Sequence, residues 1–189
     1  RSSKSFPEPT RHCTYRIEWP DELPDLAVAA STAFQQSAES MRHPAGGGIV
    51  SLKEATSGAE GLAAVTLLAS DVETWAGLPL DELEILLFSL SAFIEKAGTG
   101  GGLFRQLLAD GSDDVARLTG DIATKELADV AGRCAQAWTK AARAGIQRNV
   151  DVRTRVNSVV AAVSLLPQLE KDVVGALEAA ATSLSRSRA

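Results

Sequence analysis

Gly98-Thr99-Gly100-Gly101-Gly102-Leu103-Phe104-Arg105 separates two amphipathic stretches, and four of its eight residues are glycine. Apolar residues at helical spacing precede this octet, and Leu103, Phe104, Leu107 and Leu108 restart the same pattern after it. The octet therefore predicts a tight helix-to-helix junction. A simple connection needs one glycine just past the helix end, so four glycines indicate a backbone that serves a binding site or a crowded interface.

The helical period extends in both directions from the octet and predicts an all-α bundle of six or seven helices. In the third helix, both Phe93 and Ile94 are expected to face inward. Ser57 and Glu60 have the spacing of a capping box that opens the second helix. Pro167 either kinks the sixth helix or opens a seventh at its first turn. The predicted apolar stripes cover residues 26–41, 62–75, 83–94, 103–118, 127–141, 156–163 and 169–184.

The chain divides into a linker with an extended segment, residues 1–20, and a helical domain, residues 21–189. Tyr, Ile and Trp alternate with Arg and Glu over residues 15–19, which is the two-residue period of a half-buried strand. No second strand is predicted, and a lone strand leaves its backbone groups unpaired. Two interpretations stay open: the segment pairs with a sheet outside this chain, or it lies as an extended tail across the helices.

Composition excludes several classes of protein. The chain has 189 residues, 45% of them hydrophobic and only 5% aromatic, which favours closely packed helices over a β-sandwich. A formal net charge of −5 argues against nucleic acid as the main partner. No apolar run is long enough to span a membrane, and no secretory signal is evident. The two cysteines define neither a disulfide framework nor a zinc site, so the expected compartment is the cytoplasm.

Candidate catalytic chemistry is sparse. His12 and Cys13 are adjacent, so in an extended segment their side chains point to opposite faces, and an autonomous enzyme that uses Cys13 is a weak hypothesis. Cys134 lies on an apolar stripe and is expected in the core. His43 lies at a helix end, where a protonated imidazole suits the helix dipole. The sequence therefore predicts no catalytic residue in this chain, no metal site and no bound cofactor.

Two clusters of charged residues are better explained as solvated helix faces than as binding or catalytic sites. Asp110, Asp113 and Asp114 are explained by the exposed edge of a helix. A basic segment could receive an acidic partner, although a solvated face is the commoner origin of such a segment; its members are Arg143, Arg148, Arg153 and Arg155.

The glycine octet supports a sharper hypothesis. A helix N-terminus offers unpaired N–H groups and partial positive charge, and Arg105 in the first turn could add donors for a phosphate or carboxylate. The octet is neither a P-loop nor a dinucleotide fingerprint. The alternative is a close helix crossing in which Glu95 and Arg105 pair as a strut. The candidate substrate-binding residues are Glu95, Gly98, Thr99, Gly100, Gly101, Gly102, Phe104 and Arg105.

Residues 93–105 resemble the signature of the helical domain that follows the N-terminal domain in proteins similar to butirosin biosynthesis protein H. The likeness extends over roughly residues 20–145 and includes an Ala-rich helix ending at Met41 and a helix ending at Trp75. Within this likeness only the glycine octet is specific to the family, because the remaining similarity is a generic helix pattern. The chain departs from the family after Arg105, where residues 106–112 replace an aromatic and a Phe-Leu-x-Glu-like stretch, which leaves substrate class and activity open.

The resemblance implies a papain-like N-terminal domain, with its catalytic cysteine and histidine upstream of residue 1. It implies an acyltransferase, or a related amide-forming or amide-cleaving enzyme, in antibiotic biosynthesis. The acyl donor would be the phosphopantetheine thioester of a carrier protein, and the acceptor a small-molecule amine. This helical domain would then shape the acceptor pocket. The competing interpretation is a non-catalytic helical scaffold that binds a partner protein, and a homo-oligomer is compatible with either.

Overall fold

A computed structural model describes residues 22–43, 59–97 and 100–187, and it confirms an all-α fold. The strand predicted at residues 15–19, as well as His12, Cys13, Ser57, Gly98 and Thr99, lies outside these described residues. A short 3-10 turn, Trp75–Gly77, follows the second helix. The helices are α1 (Leu26–Arg42), α2 (Gly61–Thr74), α3 (Leu80–Glu95), α4 (Arg105–Thr119), α5 (Ile122–Gly145), α6 (Val152–Val163) and α7 (Leu166–Arg186).

Aspartate side chains cap three of the helices at their N-termini. Asp25 accepts hydrogen bonds from the backbone N–H groups of α1, Asp121 from the Thr124 N–H of α5, and Asp151 from the Thr154 N–H of α6. Each carboxylate satisfies donors that have no partner within the helix. Pro167 occupies the first turn of α7, so the second of its two predicted roles is confirmed.

Helices α5 and α7 form the centre of the bundle. Helix α5 packs against α3, α4, α6 and α7, while α7 also packs against α1 and α2. At the crossing of α3 and α5, a Cβ added to Gly145 would lie 3.0 Å from the carbonyl oxygen of Leu87. Small residues therefore allow the long α5 to lie close to its neighbours, as the alanine-rich composition predicts. Its buried positions include Leu127, Ala131, Cys134, Trp138 and Ala141.

Helix α4 runs without a break through Gly111, and Ser112 beside this glycine is buried. Two local predictions are wrong. Phe93 lies on the outer face of α3, since Ile94 takes the inward position at that turn. Glu60 is the residue before α2 and makes no side-chain cap hydrogen bond, so it does not occupy the third position of a capping box.

Candidate functional site

Residues Gly100–Phe104, the glycine turn, join α3 to α4 through consecutive positive backbone dihedral angles. The φ values are 68° at Gly100, 87° at Gly101, 52° at Gly102, 49° at Leu103 and 67° at Phe104. Glycine reaches this region without strain, whereas Leu103 and Phe104 do not. Strain of this kind persists only where the surroundings enforce it, and it is concentrated at functional sites.

Contacts with α3 and α5 hold the glycine turn. The Leu103 N–H donates to the Ile94 carbonyl oxygen at 3.3 Å, and the Gly102 N–H donates to Glu95 Oε1 at 3.5 Å. Gly102 lies so close to α5 that an added Cβ would be 2.8 Å from the Cα of Ala135. Only glycine fits at position 102, so Gly102 serves a close approach as well as a turn.

Glu95 and Arg105 were predicted to pair with each other, but each of them binds a different residue. Glu95 Oε1 accepts a 2.6 Å hydrogen bond from Thr139 Oγ1 on α5. Arg105 Nη2 lies 2.8 Å from Glu170 Oε2 on α7, and Arg105 Nε lies 2.9 Å from the same oxygen. The predicted Glu95–Arg105 strut is therefore wrong, because α7 supplies a fully buried carboxylate that the guanidinium neutralises. The Nε and Nη2 donors of the guanidinium both face this carboxylate.

Glu170 is the acceptor at the centre of a buried polar cluster. Trp138 Nε1 donates to Glu170 Oε1 at 2.7 Å, and the Cys134 thiol donates to the same oxygen at 3.4 Å. Burial, reinforced by the negative charge of Glu170, raises the pKa of the Cys134 thiol well above its usual value. Cys134 is therefore a structural residue, as the sequence predicts, and not a poised nucleophile.

A cleft of about 750 Å³ adjoins the glycine turn, and we call it the α5 cleft. Ala135, which contacts Gly102, and Thr139, which binds Glu95, both belong to its wall. The glycine turn thus borders a concave surface, although Arg105 turns away from it. The residues that line the cleft are Gln106, Ala135, Gln136, Thr139, Lys140, Arg143, Ala144, Gln147 and Ser158.

Two cations, Lys140 and Arg143, line the α5 cleft. Among the described residues, no carboxylate lies within ion-pair distance of either of them. The two residues are three apart on α5, so their side chains share one face of the helix. The sequence pointed to Arg143 only as part of a basic segment and missed Lys140. The available signal was the spacing of Gln136, Lys140, Arg143 and Gln147, because residues three or four positions apart lie on the same face of a helix.

The predicted site residues have different surroundings in the structure. Gly100 is exposed, Gly102 is buried against α5, and Phe104 is half-exposed. Glu95 reaches the cleft wall through Thr139, whereas Arg105 belongs to the interior cluster. The structure therefore brings the glycine turn and Glu95 to one edge of the α5 cleft.

The remaining charged clusters are accounted for by local contacts. Asp113 binds Lys125 and Asp114 binds Arg117 on exposed helix faces, as the sequence predicts. Arg155 donates to the Gly145 carbonyl oxygen at the end of α5, so this part of the basic segment is structural.

Another groove, of about 630 Å³, lies between the C-terminal parts of α1 and α7. Its walls include Arg42 and Glu178, which already pair with each other at 2.8 Å. No group of His, Cys, Asp and Glu in the described part of the chain could hold a metal ion. No helix within it has both the length and the apolar character needed to cross a membrane.

The fold and the cleft define an all-helical domain with a strained glycine junction beside a cleft with polar and charged walls. The chain belongs to the family described as domain of unknown function DUF4872, whose model matches residues 1–177. No curated protein and no solved structure shows a significant match to the chain.

Proposed function

We propose that this chain is the helical domain of a papain-like cysteine acyltransferase and that its α5 cleft forms part of the transfer site. In this proposal an upstream cysteine takes the acyl group as a thioester from a carrier protein, and a small-molecule amine then accepts it. The chain contributes binding surface and no nucleophile. The reaction would take place in the cytoplasm.

The observation that carries the proposal is the position of the glycine turn. Its sequence carries the resemblance to the butirosin biosynthesis protein H family, and its backbone is strained at Leu103 and Phe104. Gly102 lies against Ala135, which lines the α5 cleft. A signature that served only to connect two helices would not need this strain beside a concave surface.

The test uses the full-length gene product that contains this chain. Gln136→Trp fills the cleft from an exposed position, so the fold should remain intact. We expect it to raise the KM for one of the two reactants at least about tenfold, since removal of a binding surface weakens uniform binding. Arg133→Trp is the matched control, because Arg133 is exposed on the same helix and does not line the cleft.

The isolated chain of 189 residues should not turn over a thioester substrate. Thioester turnover by this chain, abolished by Cys13→Ala, would contradict the proposal. Equal kinetics for the Gln136→Trp and Arg133→Trp enzymes would contradict the role of the cleft.

A second candidate function, a scaffold that binds a partner protein, is favoured by the outer face of α3. Ile85, Phe88 and Phe93 on this face are 65%, 68% and 63% exposed. Adjacent exposed apolar side chains of this size are typical of protein interaction surfaces.

Phe88→Glu distinguishes the two functions, because Phe88 lies on the α3 face and does not line the α5 cleft. The scaffold predicts that this change releases a partner protein or dissociates a homo-oligomer, measured by analytical ultracentrifugation and co-purification. It also predicts a full-length product without thioester turnover. Normal transfer kinetics together with unchanged association would contradict the scaffold.

A further inference from the structure

The charge of the α5 cleft is opposite to that of the whole chain. The formal net charge of the chain is −5, yet the charged residues that line the cleft are Lys140 and Arg143. The carboxylates of Glu95 and Asp110 accept hydrogen bonds from Thr139 and from Gln106 Nε2, which line the cleft, but neither forms an ion pair with a cleft cation. Among the described residues, Lys140 and Arg143 therefore keep their ion-pairing capacity for an occupant of the cleft.

Like-charge repulsion makes a protonated amine a poor occupant of this cleft. An anion gains the attraction of both cations, and the guanidinium of Arg143 can hold two of its oxygens at once. Neutral side-chain amides that can donate hydrogen bonds, Gln136 and Gln147, line the same space. Charge and donors therefore converge on an anionic group with several acceptor oxygens.

Phosphate matches this set of groups better than a carboxylate does. A phosphate monoester carries a charge of about −1.5 to −2 near neutral pH and has three strong acceptor oxygens. The volume of about 750 Å³ exceeds the space that a lone phosphate needs. Ala135 and Ala144 add apolar surface for an organic group.

We propose that the α5 cleft binds a small-molecule phosphate ester, with its phosphate between Lys140 and Arg143. The organic part lies along the alanine side of the cleft, toward the glycine turn. The position of the phosphate follows from the charge and shape of the cleft, whereas the choice of 4′-phosphopantetheine as its ester rests on the proposed acyl-transfer function. It assigns the cleft to a phosphate-bearing reactant or ligand and excludes a protonated amine from it.

The experiment titrates the chain with four probes and follows backbone amide resonances of the lining residues by NMR. The probes are inorganic phosphate, 4′-phosphopantetheine, pantetheine without its phosphate, and spermidine as a cation. We expect 4′-phosphopantetheine to bind tightest and inorganic phosphate more weakly. Pantetheine and spermidine should leave Lys140, Arg143 and their neighbours unshifted.

Lys140→Gln and Arg143→Gln should each weaken 4′-phosphopantetheine binding about tenfold, as the loss of one charge-assisted hydrogen bond predicts. Both side chains are exposed, so thermal unfolding should remain unchanged. Arg133→Gln removes an exposed α5 cation outside the cleft and should leave the affinity intact.

Three results would overturn the assignment. Equal weakening by Arg133→Gln would show nonspecific charge attraction. Equal affinity for inorganic phosphate and 4′-phosphopantetheine would show that the organic part of the ester does not contribute to binding, which contradicts a site for a phosphate ester. Binding of pantetheine as tight as that of its phosphate would exclude a phosphate site. None of these readouts depends on turnover, so failure here is separable from failure of the proposed acyltransferase function.

Discussion

Arg105, the first residue of α4, forms an ion pair with the fully buried Glu170 of α7, with 2.8 Å between Nη2 and Oε2. The Arg105 side chain is only 19% exposed, and its Nη2 also lies 3.8 Å from Met41 Sδ of α1. One side chain therefore connects the end of the glycine turn to two helices that are distant in sequence. Contacts with α1 and α7 therefore hold the end of the glycine turn, in addition to its contacts with α5.

The first prediction concerns this ion pair. Arg105→Ala should lower the free energy of unfolding by about 3 kcal/mol, because it leaves a buried carboxylate without its cation. Urea unfolding followed by circular dichroism measures the change. The control is Arg42→Ala at the exposed Arg42–Glu178 pair, which should leave the unfolding midpoint almost unchanged. Equal effects of the two substitutions would contradict the buried role of Arg105.

The second prediction separates strain from close approach within the glycine turn. Gly102→Ala should destabilise the chain by about 2–4 kcal/mol, because its φ is positive and its Cβ would meet Ala135 at 2.8 Å. Gly101→Ala should cost about 1 kcal/mol, because its nearest neighbour would be Glu95 Oε2 at 3.6 Å and only the strain remains.

The control for this series is Gly111→Ala, which should stabilise α4 by about 0.5–1 kcal/mol. Gly111 lies inside the helix, and an added Cβ there would meet nothing within 4 Å. Thermal unfolding of the three variants measures the order of their stabilities. If the Gly102→Ala variant were as stable as the Gly101→Ala variant, the close contact with Ala135 would not lower the stability of the chain.

The third prediction is a pH dependence at Asp121. Partial burial raises the pKa of this carboxyl, but hydrogen bonds from Ser183 and Thr124 outweigh burial and hold the pKa below its usual value. The carboxylate therefore stabilises the fold above the unfolded-state pKa near 3.8, and this stability is lost as pH falls through the lower folded-state pKa.

Asp121→Ala should cost about 1 kcal/mol at pH 7, since it removes the cap of α5. The difference between the wild type and the variant should shrink once the pH falls below about 4. Urea unfolding across this range measures it. A difference that stays constant down to pH 2 would show that the charge on Asp121 does not contribute.

The fourth prediction is that Cys134 is unreactive in the folded chain. Burial and the adjacent Glu170 carboxylate disfavour the thiolate, which is the form that reacts. Iodoacetamide at pH 8 should leave Cys134 unmodified in native buffer and modify it in denaturant, as peptide mapping by mass spectrometry would show. Rapid native modification would mean that the cluster around Glu170 opens.

Local signals in the sequence were sufficient for most of the helices. Pro167 opens α7 and Gly145 ends α5, because these residues act on the backbone near them. Helix α4 was less predictable, since the low helix propensity of Gly111 is outweighed by tertiary packing, in which Ala109 and Ala116 of the same helix are buried.

The partners in the site were not predictable from local patterns. Arg105 pairs with a residue 65 positions away, which depends on how α4 and α7 pack. Glu170 itself was a usable signal, because it is a charged residue at a core position between Leu166 and Val173 of α7. The cleft depends on packing in the same way, since α4, α5 and α6 each supply part of its wall.

The run of positive φ values from Gly100 to Phe104 also has a stereochemical consequence. Dihedral angles of this sign are those that D-amino acids prefer, because inversion at Cα reverses the steric limits on the backbone. At this turn the chain therefore follows a path of the opposite chirality to the helices that it joins. The genetic code supplies only L-residues and achiral glycine, so selection at positions 100–102 has almost no alternative to glycine that avoids strain.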